Sequence, residues 1–206
     1  MHRALLLLLA GLVYILGFGA LSFVRRQGLP LRFALEGVAV TLACAALAYL
    51  DVPVSPLAFL IAIYLVTMRV RLLVDVGNWV SSRGQFPQAL GVFRLALRLG
   101  GDDVGRRMVL INRGVAELRQ KDPQRAYETL TAALAGEHVQ PGARHLSAGL
   151  YNLGLAARRT GREAEARRRF QEAIEALPTS IYAHAADRAL KEGPGREAQM
   201  DTDEHG

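Results

Sequence analysis

The sequence contains one cysteine and only two lysines, Lys121 and Lys191, among 206 residues. A single cysteine excludes a disulfide within the chain, and because Cys44 lies in an apolar segment it does not report the redox compartment. Nearly all of the 25 basic residues are therefore arginine, which we interpret as the mark of a high-GC genome, and we expect a bacterial protein.

Sequence motifs for catalysis are also missing. The chain has no G-x-x-x-x-G-K-[ST] phosphate loop, no H-E-x-x-H helix and no paired cysteines. His138, His145 and His184 are scattered and have no acidic or cysteine partners at the spacing of metal ligands. We therefore expect a protein that is not an enzyme, with no cofactor and no metal site.

Charge is scarce in the first third of the chain. Residues 1–76 contain six arginines and three acidic side chains, whereas residues 77–206 contain nineteen basic and sixteen acidic ones. This shift predicts a domain boundary near residue 70. The net charge of +6 divides equally between the two parts, so no concentrated basic face is indicated, and nucleic acid is not an expected partner.

Three apolar segments occupy the charge-poor part, at residues 4–24, 33–50 and 57–73. The first has 21 uncharged residues, enough for a helix rising ~1.5 Å per residue to cross a hydrocarbon core of ~30 Å. We therefore predict a three-helix membrane anchor over residues 1–70, with the lipid bilayer as one partner. A cleaved signal peptide is the alternative for the first segment, and a buried soluble hairpin is the alternative for the other two.

Arginines predict how this anchor is oriented. The loop after the first segment carries Arg25, Arg26 and Arg32, whereas the turn at residues 51–56 carries no basic residue. Positively charged loops tend to stay in the cytoplasm. We therefore expect the N-terminus outside, the part after the third segment in the cytoplasm, and the whole chain in a bacterial inner membrane.

The second apolar segment has two features of its own. Gly37, Thr41 and Ala45 recur every four residues, a stripe of small side chains that permits close helix contact, either within the anchor or with a second copy. Glu36 lies close to the arginine-rich loop, and we expect it to pair with Arg32.

The last two thirds of the chain contain a repeated pattern. Small residues recur at Ala89, Ala126 and Ala166, spaced by 37 and 40 residues, and large residues follow four positions after each. The third copy is the most complete, and its characteristic positions are Leu150, Leu153, Gly154, Ala166, Phe170 and Pro178. Leu73, Gly77, Gly84 and Phe93 fit a first copy, and Leu110, Gly114 and Leu130 fit a second.

These residues resemble the tetratricopeptide repeat family over about residues 70–191. The resemblance implies an all-α fold, in which an α-solenoid of about three helical hairpins follows the three membrane helices. The hairpins would cover residues 70–103, 107–140 and 147–180, followed by a capping helix at 180–191. The polar tail, residues 192–206, is expected to be disordered.

The resemblance also implies a concave groove, lined by the first helix of each hairpin, for a peptide or a partner helix. Apolar side chains in its middle and arginines at one end favour a segment with hydrophobic anchors and acidic residues. The candidate groove residues are Asn78, Ile111, Asn112, Val115, Arg119, Tyr151, Asn152, Leu155, Arg158 and Arg159.

Some of these groove residues have other interpretations. Certain family members clamp a carboxylate with two asparagines and three basic residues, and Asn78 and Asn112 occupy the asparagine positions. The basic positions instead hold Val74, Ala148 and Asn152. Hydrogen bonding between helices is an alternative role for Asn112 and Asn152, and solvation of a helix end is an alternative for Arg158 and Arg159.

Two functions are compatible with this organisation. The favoured one is a membrane-anchored adaptor whose cytoplasmic repeats bind a partner protein or peptide. The alternative is a small integral membrane subunit of an envelope or transport complex, in which the repeats serve only assembly.

Overall fold

A computed structural model describes residues 2–24, 31–100, 102–135 and 142–192. Within these ranges every regular element is an α-helix, which confirms the predicted all-α fold. The helices are α1 (His2–Val24), α2 (Leu31–Tyr49), α3 (Pro56–Ser82), α4 (Phe86–Leu99), α5 (Asp103–Arg119), α6 (Pro123–Leu134), α7 (Ala143–Arg159), α8 (Glu163–Ala176) and α9 (Ile181–Glu192).

The chain divides into two compact units. The first contains α1, α2 and α3 as far as Leu73, together with Leu99–Asp102. The second contains Val74–Arg98 and the helices from α5 onward. Residues 136–141 lie outside the described residues, and so does the tail after residue 192 that the sequence analysis expected to be disordered.

Three helices of the first unit are long and apolar enough to cross a membrane. They bury few side chains among themselves, and their core consists of Leu7, Phe59 and Ile63. Most of their leucines face outward, so that Leu5 and Leu57, for example, are about two thirds exposed at 65% and 67%. A soluble protein rarely exposes a continuous apolar surface of this kind.

The small-residue stripe of α2 is used inside the bundle. Gly37, Thr41 and Ala45 are all buried. A Cβ atom added at Gly37 would lie 3.0 Å from Cγ1 of Ile15 on α1, and Thr41 fills the space beside Gly11 in the same way. Of the two alternatives for this stripe, the structure therefore shows packing within one copy of the chain.

Glu36 is bound by two arginines. Arg32 donates from Nε to Glu36 Oε1 over 3.0 Å, as expected from the sequence. Arg69 on α3 donates from Nη2 to the same oxygen over 2.8 Å, a pairing that the sequence alone did not indicate. Arg69 also donates to the carbonyl oxygens of Leu99 and Gly100, each over 3.3 Å.

Helix α3 continues past the point where the composition changes. It runs without interruption for 27 residues to Ser82, roughly 40 Å at ~1.5 Å per residue, and the two compact units divide within it, between Leu73 and Val74. A change from apolar to charged side chains does not break backbone hydrogen bonds, and no proline falls within this stretch. One helix therefore supplies both the last apolar segment and the first helix of the repeats.

The second unit is built from helical hairpins in which a glycine on the first helix faces a large side chain on the second. A Cβ atom added at Gly114 would lie 2.5 Å from Cγ of Leu130, and one at Gly154 would lie 2.6 Å from Cε1 of Phe170. Gly77 faces the ring of Phe93 in the same manner. The small and large residues of the repeat pattern therefore pack directly against each other.

The turns inside the three hairpins are closed in the same way. Each has one residue in the left-handed region: Gly84 at φ 75°, Lys121 at φ 64° and Gly161 at φ 78°. Each of these residues donates its N–H to the carbonyl three positions earlier, over 3.0 to 3.1 Å. Asp122 then caps α6, because its Oδ1 accepts from the N–H of Arg125 over 3.2 Å, and Pro123 starts that helix.

Helix α9 covers the last hairpin, as the sequence predicted. A buried serine pair holds its start, since Ser147 on α7 and Ser180 share a hydrogen bond of 2.8 Å. Ser147 Oγ also donates to the carbonyl of Ala173, and Ser180 Oγ accepts from the N–H of Ala183, each over 2.9 Å. Ala183, Ala186 and Ala189 form the buried side of α9.

Candidate functional site

The candidate surface is carried by the first helices of the hairpins, α3, α5 and α7. Seven of the ten residues predicted for it are accessible in the second unit. Asn78, Arg119 and Arg159 are exposed, and Asn112, Val115, Tyr151 and Leu155 are half-buried.

Two predicted surface residues are instead interior residues. Ile111 is 3% exposed and belongs to a core cluster with Leu130 and Leu153. Its side chain reaches the space over Gly149, where a Cβ atom would lie 3.3 Å from Cδ1 of Ile111. Asn152 is 9% exposed. These two residues therefore pack beneath the candidate surface and do not form part of it.

Asn112 and Asn152 make the same hydrogen bond. Each amide donates from Nδ2 over 2.8 Å to the carbonyl oxygen four residues earlier in its own helix, that of Met108 for Asn112 and that of Ala148 for Asn152. The bond lies within one helix, which differs from the helix-to-helix bond considered for them. Half-buried Asn112 is the one of the pair that a ligand could still reach.

Arg158 is buried, contrary to the expectation that it lies on the open groove. Its Nη2 donates to the carbonyl of Ala189 on α9 over 3.0 Å, and its Nε lies 3.4 Å from Glu163 Oε2. The guanidinium group also stacks over Phe170, 4.7 Å from the ring centroid. Arg158 therefore holds the capping helix against the last hairpin. This role requires α9 and cannot be recognised from the sequence of a single repeat.

Arg119 and Arg159 lie in the last turns of α5 and α7. Arg159 Nη1 donates to the carbonyl of Leu118 over 3.4 Å, which brings the C-terminal end of α7 to the residue that precedes Arg119 at the C-terminal end of α5. Both arginines are exposed. Two cationic side chains therefore stand at the same end of the surface, beside the half-buried Val115 and Leu155.

An aromatic cluster lies at the side of the surface nearer to α9. The ring of Tyr151 lies 5.9 Å from that of Phe170 and 6.2 Å from that of Tyr182. Phe170 is fully buried, while both tyrosines are half-buried. Tyr182 was missed by the sequence analysis because it belongs to the capping helix, which the repeat pattern does not cover.

The second helices present a different, polar surface. Tyr127 on α6 donates to Glu165 Oε2 on α8 over 2.8 Å, and the Arg162 guanidinium lies 4.2 Å from the Tyr127 ring centroid. The hydrogen bond to the Glu165 carboxylate raises the pKa of Tyr127 above its ordinary value. Arg167 and Arg168, at 61% and 63% exposure, pair with glutamates of α8, as expected of a solvated face.

Metal-ligating side chains do not gather at this surface. In the described parts of the chain, no three His, Cys, Asp or Glu residues lie close enough together to hold a metal ion. His145 and His184 are exposed, and His138 lies outside the described residues.

The sequence model of the tetratricopeptide repeat family matches residues 105–179. This range covers α5 to α8, the two hairpins with the Gly114–Leu130 and Gly154–Phe170 contacts. The chain therefore contains tetratricopeptide repeats over this segment, and repeats of this family generally mediate protein binding. No curated protein matches the chain.

Proposed function

We propose that the chain is a membrane-anchored adaptor whose repeats bind a segment of a partner protein. The observation that carries the proposal is the combination, in one chain, of three outward-apolar helices and a repeat surface with accessible apolar and arginine side chains. The helices need a bilayer to cover their leucines.

The anchor is expected to lie in a bacterial inner membrane with its N-terminus outside and the repeats in the cytoplasm. Arg25, Arg26 and Arg32 in the first loop support this orientation. The partner would then be a cytoplasmic protein or the cytoplasmic part of another membrane protein.

The chemistry of the partner segment follows from the accessible residues. Val115, Leu155 and Tyr151 can contact apolar side chains, while Arg119 and Arg159 can form bidentate hydrogen bonds with carboxylates. We therefore propose a segment with hydrophobic anchors next to Asp or Glu residues. For a modest, partly polar surface of this kind a micromolar dissociation constant is expected, about −8 kcal/mol.

Charge reversal on the two faces tests this proposal. Full-length protein in detergent micelles would be titrated with a fluorescent peptide that carries leucines flanked by aspartates, and with the same peptide carrying lysines. Reversing Arg119 and Arg159 to Glu should weaken binding of the acidic peptide by at least tenfold, since each exposed pair contributes up to about 1 kcal/mol and reversal adds repulsion.

The matched control reverses Arg167 and Arg168 on α8, which changes net charge by the same amount on the polar face. This variant should bind the acidic peptide as the native protein does. An equal loss in both variants would show that only net charge matters and would refute the groove. Preference for the lysine peptide would refute the proposed partner chemistry.

A small integral membrane subunit is the alternative function. Against it, Glu36 and Arg69 neutralise each other within the first unit, so neither is left as an unpaired charge for transport. A crosslinking comparison of full-length protein with the fragment 77–193 separates the two. Partners kept by the fragment support the adaptor, and partners lost with the helices support the subunit.

A further inference from the structure

The tail that follows α9 has the composition proposed above for the partner segment. Residues 193–206 contain one large apolar side chain, Met200, and three acidic residues come within the next four positions, at Asp201, Asp203 and Glu204. A hydrophobic anchor next to carboxylates is the chemistry that the accessible surface of α5 and α7 is suited to bind. The chain therefore carries a candidate ligand for its own repeats.

The repeats and the tail have opposite net charges. Residues 77–192 contain eighteen basic and twelve acidic side chains, a net charge of +6, whereas the tail contains one basic and four acidic side chains, a net charge of −3. On the repeats, three exposed cations lie at or just after the C-terminal ends of α5 and α7, and we call this the basic end of the surface. They are Arg119, Lys121 and Arg159. Charge complementarity therefore favours contact between the tail and the basic end.

The tail also starts at the same end of the repeats. Arg159 on α7 donates to the carbonyl of Leu118 near the end of α5, over 3.4 Å. Its neighbour Arg158 donates to the carbonyl of Ala189 on α9, over 3.0 Å. Ala189 lies three residues before Glu192, where α9 ends. The C-terminal ends of α5, α7 and α9 therefore lie side by side, and the tail follows from this group of helix ends.

The length of the tail is sufficient to reach the basic end. Because α7 packs between α5 and α9, and packed helices lie about 8–10 Å apart, the ends of α5 and α9 are on the order of 20 Å apart. Asp201 lies nine residues after Glu192. Nine residues can span up to about 30 Å. The acidic part of the tail can therefore reach Arg119 without any change in the helices.

We propose that the tail occupies the repeat surface of its own chain and competes there with the partner segment. Met200 would contact the half-buried apolar side chains, and the acidic residues after it would bind Arg119 and Arg159. Occupancy by the tail uses the same surface and therefore rests on the proposed function. A short tether gives a segment an effective concentration on the order of 1 mM, which favours the tail of the same chain over that of a second copy.

Peptide titration of the full-length protein in detergent micelles tests the competition. The probe is the fluorescent peptide with leucines flanked by aspartates, and the tail variant carries Asp201→Asn with Asp203→Asn. A tail with a dissociation constant of about 0.1 mM, present at about 1 mM, would fill the surface about nine tenths of the time. The tail variant should therefore bind the peptide at least about threefold, and at most about tenfold, more tightly than the native protein.

The matched control removes two acidic side chains from the second helices, by Glu128→Gln with Glu175→Gln. Both glutamates are exposed, and each accepts a hydrogen bond from a glutamine of its own helix. This control should bind the peptide as the native protein does. In a protein that also carries Arg119→Glu and Arg159→Glu, the substitutions in the tail should have no effect, because the tail has lost its binding partners. Circular dichroism checks that every variant keeps its helices.

The titrations separate failure of the inference from failure of the proposed function. If reversal of Arg119 and Arg159 weakens peptide binding but the tail variant binds as the native protein does, the inference is wrong and the proposed function stands. If the peptide binds neither the native protein nor the tail variant, the proposed function is refuted. Equal gains in the tail variant and the control would mean that net charge alone acts, which overturns the inference. Native affinity that falls as protein concentration rises would assign the tail to a second copy and overturn it as well.

Discussion

Lys121 is the residue at which one hairpin departs from the other two. It adopts φ 64° in the turn where the neighbouring hairpins have Gly84 and Gly161. A residue with a Cβ atom is strained there by roughly 1–2 kcal/mol. Lys121→Gly should therefore stabilise the repeats by about 0.5–1 kcal/mol, after the extra entropy of glycine in the unfolded chain is subtracted. Urea unfolding of full-length protein in detergent, followed by circular dichroism, measures this gain.

The reverse change serves as the control. Gly161→Ala should destabilise by about 1 kcal/mol, because no atoms crowd the site and only the backbone conformation is penalised. If Lys121→Gly lowers stability, the left-handed turn is not shared by the three hairpins.

Tyr127 links stability to pH through its hydrogen bond with Glu165. That bond raises the pKa of Tyr127 in the folded state above the value of about 10 expected in the unfolded chain. The stabilisation is therefore complete below about pH 10 and is lost as the pH rises through the folded value. Tyr127→Phe should cost about 0.5–1.5 kcal/mol at neutral pH.

The difference between native protein and Tyr127→Phe should stay constant from pH 7 to about 9 and shrink above about 10, as urea unfolding at each pH would show. Tyr182→Phe is a suitable control, since the contact described for Tyr182 is with the ring of Tyr151. A difference that grows in alkali would contradict the assigned direction.

At the scale of the helices, the contact between α7 and α8 depends on one large side chain. Phe170 is fully buried and lies against Gly154, Leu150 and the alanines of α9. Phe170→Ala should destabilise the repeats by about 3–5 kcal/mol. Ile181→Ala, at a position that is 67% exposed, should change stability by less than about 0.5 kcal/mol. A loss below about 1 kcal/mol for Phe170→Ala, again from urea unfolding, would contradict its role in joining α7 to its neighbours.

The hairpins were predictable because their signal is local. A glycine on one helix and a bulky residue on the next, as in Gly154 and Phe170, recur at a spacing that can be read from the sequence. The continuity of α3 could not be predicted from the sequence. A change in side-chain composition reflects a change in surroundings, and it leaves the backbone hydrogen bonds of a helix intact. The burial of Arg158 was not predictable either, since its partners Ala189 and Glu163 come from two other helices.

At the scale of the whole molecule, the arginines of the first loop predict the topology. A reporter fused after Arg71 should be active only if it works in the cytoplasm, because Arg25, Arg26 and Arg32 are expected to keep the first loop on that side. A second fusion within the 51–56 turn should be active only as an external reporter. An external signal after Arg71 would overturn the orientation, and an N-terminus cleaved near residue 20 would remove the first crossing.

The contacts of α9 limit how the repeats can be exchanged during evolution. Ser147 and Arg158 bind Ser180 and Ala189, so the third hairpin is matched to the capping helix by side chains that the other hairpins lack. A hairpin that replaced α9 would leave Ser147 and Arg158 without these partners. Duplication or exchange of repeats is therefore expected to keep α7, α8 and α9 together as one block.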